Sequence, residues 1–232
     1  MKRLSLSIAI LFIGLAKFAS NTFAKYNLTE PEEKSIEING KVYNFKLYKY
    51  DPPYLSPPYL LKEKSEQDLS TPEGTEIALS SSYGVDTEWY LSLFDEEARQ
   101  EQLETNKKTN GEYLKEIYKG EPLPDPIKEG NYDKFLYKIE FKYNNKMYTV
   151  IYADSFIYGE KESGTYIPYV KEGNKWLYTN NIKNHPLVDF VGLHSYDQLQ
   201  QLCKKGYWYT PCLLYTSPSP RDISGSRMPS SA

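Results

Sequence analysis

The sequence predicts an α+β domain in which N-terminal helices pack on an antiparallel sheet, the whole preceded by a β-hairpin and a Pro-rich linker. Three observations carry that expectation. Capping signals and helical apolar spacing gather between Ser70 and Tyr118, and two-residue alternation dominates from Lys134 to Thr179. The alternating runs are joined by turns too short for anything but antiparallel neighbours. Helices grouped ahead of strands, instead of alternating with them, are the α+β pattern.

Taken in order, Lys2 and Arg3 precede an apolar run from Leu4 to Leu15, and Thr22 and Ala24 supply small residues for cleavage. Residues 1–24 therefore read as a secretory signal peptide, and the mature chain as exported, periplasmic or extracellular. The run is about a dozen residues, short of the roughly 20 that a spanning helix needs, so no stable membrane insertion is expected after cleavage. Residues 25–69 hold the hairpin and the linker. Ser35 to Tyr50 turns at Asn39-Gly40, the preferred type I′ pair, which places Tyr43, Phe45 and Leu47 on one face. Pro-Pro-Tyr-Leu then occurs at Pro52–Leu55 and again at Pro57–Leu60, which favours an extended, stiff connector.

Residues 70–211 form the main domain. Ser70 or Thr71 caps a first helix running to about Ser82, with Pro72 in its first turn and Glu73 completing a capping box with Ser70. Asp86 caps a second helix carrying Trp89, Tyr90, Leu93 and Phe94. Asp95 to Glu104 continues as a third, and Glu112 to Tyr118 as a short fourth. After the proline-rich Glu121–Pro126, Phe135, Tyr137, Ile139, Phe141 and Tyr143 alternate onto one strand face. Asn144-Asn145 makes the turn, and the returning strand brings Tyr148, Val150, Tyr152 and Asp154 to the same face. A hairpin around Gly173-Asn174 and two helices, Pro186–Val191 and Ser195–Lys204, follow.

Residues 212–232 read differently. Cys212–Asp222 (CLLYTSPSPRD) back-translates codon for codon into a synthetic sequencing adapter, and Ser226–Ala232 (SRMPSSA) into the adapter's next constant part. This tail is excluded from fold reasoning as a non-native scar, and the natural chain is followed only to Pro211, where it is expected to be truncated. Cys203 is then the one genuine cysteine, either a free thiol or paired with a residue further on. The signal carries three basic residues and the tail two basic and one acidic. Of 28 basic and 31 acidic residues, 23 and 30 remain, a net of about −7, which argues against a nucleic-acid partner.

A resemblance rests on particular residues: the helix start Thr71-Pro72-Glu73-Gly74, the segment VDTEWYLSLFDEEAR (Val85–Arg99), long tyrosine-rich strands, and the hairpin VKEGNKW (Val170–Trp176). From roughly Ser70 to Leu193 these resemble secreted members of the nuclear-transport-factor-two-like superfamily. The resemblance implies a curved, cone-like sheet wrapped against helices, whose mouth holds a ligand, an active site or nothing. The hairpin and Pro-rich linker are extra to that pattern.

The hairpin register sets Asp154 opposite Phe135 and near Tyr137 and Tyr152. Burial among aromatics disfavours the charged form of an acid, which suits a general acid or base acting on a small ligand. A strand end in water is the plainer reading of Asp154. His185 and His194 lack metal-ligand spacing, and His194, Ser195 and Asp197 are adjacent only in sequence, which makes no relay. No phosphate loop, zinc motif or nucleophile elbow is present, so no cofactor or metal is expected. The leading expectation is an exported, non-catalytic binding or accessory domain. Its aromatic cavity would involve Trp89, Tyr137, Tyr152 or Trp176 and take a small apolar or sugar-like ligand. The alternatives are an isomerase or dehydratase with Asp154 as general base, and an envelope-associated interaction module that forms a homodimer through its sheet.

Overall fold

A computed structural model describes residues 26–109, 111, 126–204 and 208–209. The expected signal segment, the helix over Glu112–Tyr118 and the adapter-like tail lie outside the described residues, as do the side chains of Cys203 and Trp208. The chain starts with strands. Asn39 and Gly40 both take positive φ, 53° and 77°, as a type I′ turn requires, and they join β1 (Glu32–Ile38) to β2 (Lys41–Ser56). Three helices follow: α1 (Pro72–Ser82), α2 (Thr87–Leu91) and α3 (Glu96–Lys108). Strands resume with β3 (Tyr132–Tyr143), β4 (Lys146–Ile157), β5 (Glu160–Glu172) and β6 (Lys175–Tyr178). Helices α4 (Pro186–Gly192) and α5 (Tyr196–Lys204) come next, and then the two-residue strand β7 (Trp208–Tyr209).

The spatial order is β6-β5-β4-β3-β2-β1-β7. Six strands are antiparallel, each beside its neighbour in sequence, while β7 adds parallel to β1. This corrects the expected fold. No helical layer precedes the sheet among the described residues; every helix follows a strand, α1–α3 after β2 and the others after β6. Nor is the first hairpin an appendage ahead of a cone-like domain, because β2 pairs directly with β3 and both its strands belong to the one sheet. Only the broad α+β content fits.

The first part of the expected linker, through Ser56, belongs to β2. Pro52 and Pro53 fall where the β2–β3 register shifts, between Lys49 and Tyr54, and a bulge asks for no ladder N–H that proline lacks. The strand therefore runs through the first Pro-Pro pair.

Both faces of the sheet are buried. On one, Phe45, Leu47, Tyr137, Ile139, Phe141 and Val150 pack with Leu187, Val188 and Phe190 of α4 and Leu199 of α5. On the other, Tyr50, Tyr54, Phe135, Ile151, Tyr169 and Trp176 pack with Ala78 and Leu79 of α1, with Trp89, and with Phe94 and Ala98. The sheet is thus the middle of three layers. Alternation predicts one wet face, whereas β4 is buried without interruption from Tyr148 to Ala153.

Candidate functional site

Helix α1 begins where the sequence places it, but with different chemistry. Thr71 is the cap, its hydroxyl accepting from the Gly74 N–H at 3.1 Å. Glu73 closes no capping box with Ser70; it turns into the sheet, fully buried, and pairs with Lys138 Nζ at 3.0 Å. Tyr50 Oη donates to the same Glu73 oxygen at 2.5 Å. Gly74 is required at this start because a Cβ there would lie 1.9 Å from the Asp68 carbonyl oxygen. Thr75 fixes the helix against the sheet by donating to the Trp176 carbonyl at 2.8 Å.

One stripe of α1, Glu73, Glu76 and Ser80, follows the three-four spacing of a single helix face. Glu76 accepts a hydrogen bond from the Tyr169 hydroxyl and lines a cleft of about 440 Å³. Tyr90, Phe94, Tyr166 and Tyr178 form its aromatic wall, and Asp133 and Ser155 sit across from one another on β3 and β4. Burial drives the Glu76 carboxyl up to about 7, against the lowering effect of the Tyr169 phenol and with a further push from the Asp133 carboxylate. Burial likewise raises Asp133, opposed by the Ser155 hydroxyl, which donates to it at 2.5 Å.

Among the described residues no lysine or arginine lines the cleft. Beyond Ser80, Asp133 and Ser155 it runs on into a second hollow of about 320 Å³, walled by Pro57, Tyr132 and Phe156. The last two rings stack with centroids 5.0 Å apart. The carboxyl pair therefore stands near the junction of two shallow compartments, each with an aromatic side.

The expected site residues are not brought together. Trp89 and Trp176 lie in the core between the sheet and α1–α3, and Trp89 Nε1 donates to Gln67 at 2.9 Å. Tyr137 and Tyr152 lie on the opposite face, stacked at 4.8 Å. Tyr152 Oη donates to the Val188 carbonyl at 3.0 Å, and Tyr137 Oη to that of His194 at 2.6 Å. All four are buried core residues, so no single cavity contains them.

Asp154 faces Lys134 instead of Phe135, because a bulge between Phe135 and Tyr137 shifts the register by one and sends Phe135 to the other face. It is ion-paired with Lys161 at 2.7 Å and does not line the cleft. His185 packs among Tyr43, Phe141 and Tyr143, its imidazole pushed down by burial and by Lys41. His194 rests its Nδ1 2.7 Å from the Phe190 carbonyl. Among the described residues no cluster of His, Cys, Asp and Glu could hold a metal ion, and no helix is long and apolar enough to cross a membrane.

Sequence reasoning missed Glu76, Asp133, Tyr169 and Ser155. The usable signal is the helical stripe of Glu73 and Glu76; the capping box expected for Glu73 with Ser70 drew on Glu73 alone and left Glu76 unread. Comparison with known proteins returned no matching family model, no similar curated protein and no similar solved structure.

Proposed function

We propose that the chain is an exported, non-catalytic binding domain for a polyhydroxylated, sugar-like ligand held in the cleft at Glu76 and Asp133. The observation that carries this reading is a carboxyl pair on an aromatic-walled cleft that, among the described residues, no basic side chain lines. Such a lining offers acceptors, so it favours a ligand rich in hydroxyl donors and repels anions. The rings of Tyr90, Phe94 and Tyr178, linked edge to face at 4.8 and 5.2 Å, supply apolar surface for the faces of a sugar ring. The cleft is open, which suits reversible binding better than the water-poor cavity that proton abstraction from an apolar substrate needs. Helices cover both sheet faces, so a homodimer through the sheet is not part of the proposal.

A second reading has one observation in its favour. A carboxyl at about 7 beside another acid is also what glycosidic hydrolysis uses. Calorimetric titration with maltose, cellobiose and chitobiose, followed by an assay for new reducing ends, separates the two. Saturable binding without new reducing ends, lost in the Glu76→Gln/Asp133→Asn double variant, is the expected result. Release of reducing ends would establish the enzyme, and the absence of heat with every saccharide on a folded protein would dismiss both. Export is checked by sequencing the N-terminus of the secreted chain, expected to begin at Lys25.

A further inference from the structure

The cleft does not end at its carboxyl pair. Ser80, Asp133 and Ser155 line both the cleft of about 440 Å³ and the second hollow of about 320 Å³, so the two are continuous. Each alone exceeds the roughly 300 Å³ at which a pocket takes a small ligand. The lining changes across that junction. Among the described residues Asp133 is the only charged side chain of the second hollow, and its other polar side chains, Asn131 and the serines, are neutral. Tyr132 and Phe156 are cross-strand partners on β3 and β4, both half-buried, and the stacked pair lines the hollow as apolar surface.

Immediately after Ile157, which lines the hollow, the β4–β5 turn carries Tyr158, 80% exposed and held at φ 51°. A bulky side chain is costly in that left-handed region, where glycine or asparagine is the usual residue. A neighbouring turn enforces it. The Tyr158 N–H donates to Asn131 Oδ1 at 2.9 Å, and the Gly159 N–H to the Gly130 carbonyl at 3.0 Å. Gly130 admits no side chain, because a Cβ there would lie 2.3 Å from the Gly159 nitrogen. The fold thus holds a tyrosine in water beside the hollow at a backbone cost, with no core packing to offset it, and strain of that kind gathers where ligands are held.

We propose that the ligand is a linear, uncharged oligosaccharide longer than a disaccharide. Its chain crosses the Asp133–Ser155 junction, one end against Tyr90, Phe94 and Tyr178 and the other against Tyr132, Phe156 and Tyr158. This rests on the saccharide reading of the cleft and deepens it: the cleft takes the first units, and the second hollow takes those that follow. Rings beside neutral amide and hydroxyl groups match the faces and the hydroxyls of an uncharged sugar unit.

The test is calorimetric titration of the full chain with maltose, cellobiose and chitobiose, each against the tetrasaccharide of its own series. In a series that binds, the tetrasaccharide should bind about tenfold tighter than its disaccharide. Tyr158→Asn removes the ring and supplies a residue that accepts positive φ, so it should lose no stability in urea denaturation; Phe156→Ala removes half of the stacked pair. Both should bring the tetrasaccharide down to about the affinity of the disaccharide and leave the disaccharide unchanged. A tetrasaccharide no tighter than its disaccharide, or an advantage kept in full by Tyr158→Asn, would overturn the extension while the cleft reading stands. Absence of heat with every saccharide would overturn both.

Discussion

Replacing Glu76 by glutamine preserves the shape of the side chain and an oxygen for Tyr169 to donate to, while removing its proton equilibrium. The native carboxyl titrates at about 7, whereas the unfolded chain returns it to its ordinary 4.5. Below 4.5 both states hold the proton, and the group takes nothing from stability. Between 4.5 and 7 the unfolded chain has lost its proton and the native state has kept it, so stability falls with rising pH by at most about 1.4 kcal/mol per pH unit. Above 7 the loss levels off at about 3 kcal/mol, an upper bound because the residue keeps partial contact with solvent through the cleft. Glu76→Gln should therefore match the native protein at pH 4 and exceed it at pH 8 by up to that amount. Urea denaturation of both proteins across this range measures the difference directly, and other titrating groups cancel in the comparison. Parallel stability curves would show that Glu76 does not carry a raised pKa, and the cleft would lose its electrostatic signature.

Lys138→Met leaves the Glu73 carboxylate buried without its cation and should cost about 3–5 kcal/mol in urea denaturation. The Glu73→Gln/Lys138→Met double variant should regain most of that, and failure to do so would show that packing, not charge, holds this contact. Tyr137→Phe removes the hydroxyl that donates to the Val191 and His194 carbonyls, for an expected loss of about 1–2 kcal/mol by denaturation and faster amide exchange in α4. Asp154→Asn breaks only the partly exposed pair with Lys161, so stability should change by less than about 1 kcal/mol. Maltose, cellobiose and chitobiose titrations of that variant should match the native protein; a collapse of binding there would restore Asp154 to the site.

The turns were the most legible part of the chain, because they depend on local backbone demands. Asn39-Gly40 and Asn144-Asn145 both take the positive φ angles that their residue types announce. From the second turn the register follows, Tyr143 opposite Lys146, Phe141 opposite Tyr148, Tyr137 opposite Tyr152. The cap Asp86 was equally readable, accepting from the Trp89 N–H, whereas Asp95, expected only as part of a continuing helix, caps α3 by accepting from the Ala98 N–H. Legibility ended at the bulges. A single extra residue near Leu136 reverses the face of Phe135, and no alternation rule reports it. The same limit hid the role of Pro52 and Pro53, whose tolerated place in β2 depends on a partner strand some 80 residues away.

The candidate site was hidden by a deeper feature, the burial of both sheet faces. When only one face is assumed to meet the core, Lys138 and Glu140 read as solvent-facing strand residues, and Glu73 and Glu76 as the charged side of a helix. Once α1 packs on that second face, these polar groups are enclosed and must find one another. Glu73 takes Lys138 and Tyr50, Glu76 takes Tyr169, and Asp133 takes Ser155. The first set neutralises its charge internally, whereas ionising Glu76 or Asp133 carries a desolvation cost that only hydroxyl donors offset. Leucine at position 76 would extend the neighbouring apolar surface without that cost. A carboxyl whose ionised form destabilises the fold near neutral pH, placed at the edge of an open cleft, is therefore accounted for by what it can bind and not by what it holds together. Hydroxyl donors from a ligand would favour the ionised form of Glu76, so saccharide binding should release protons near pH 6 and tighten as the pH rises through 7.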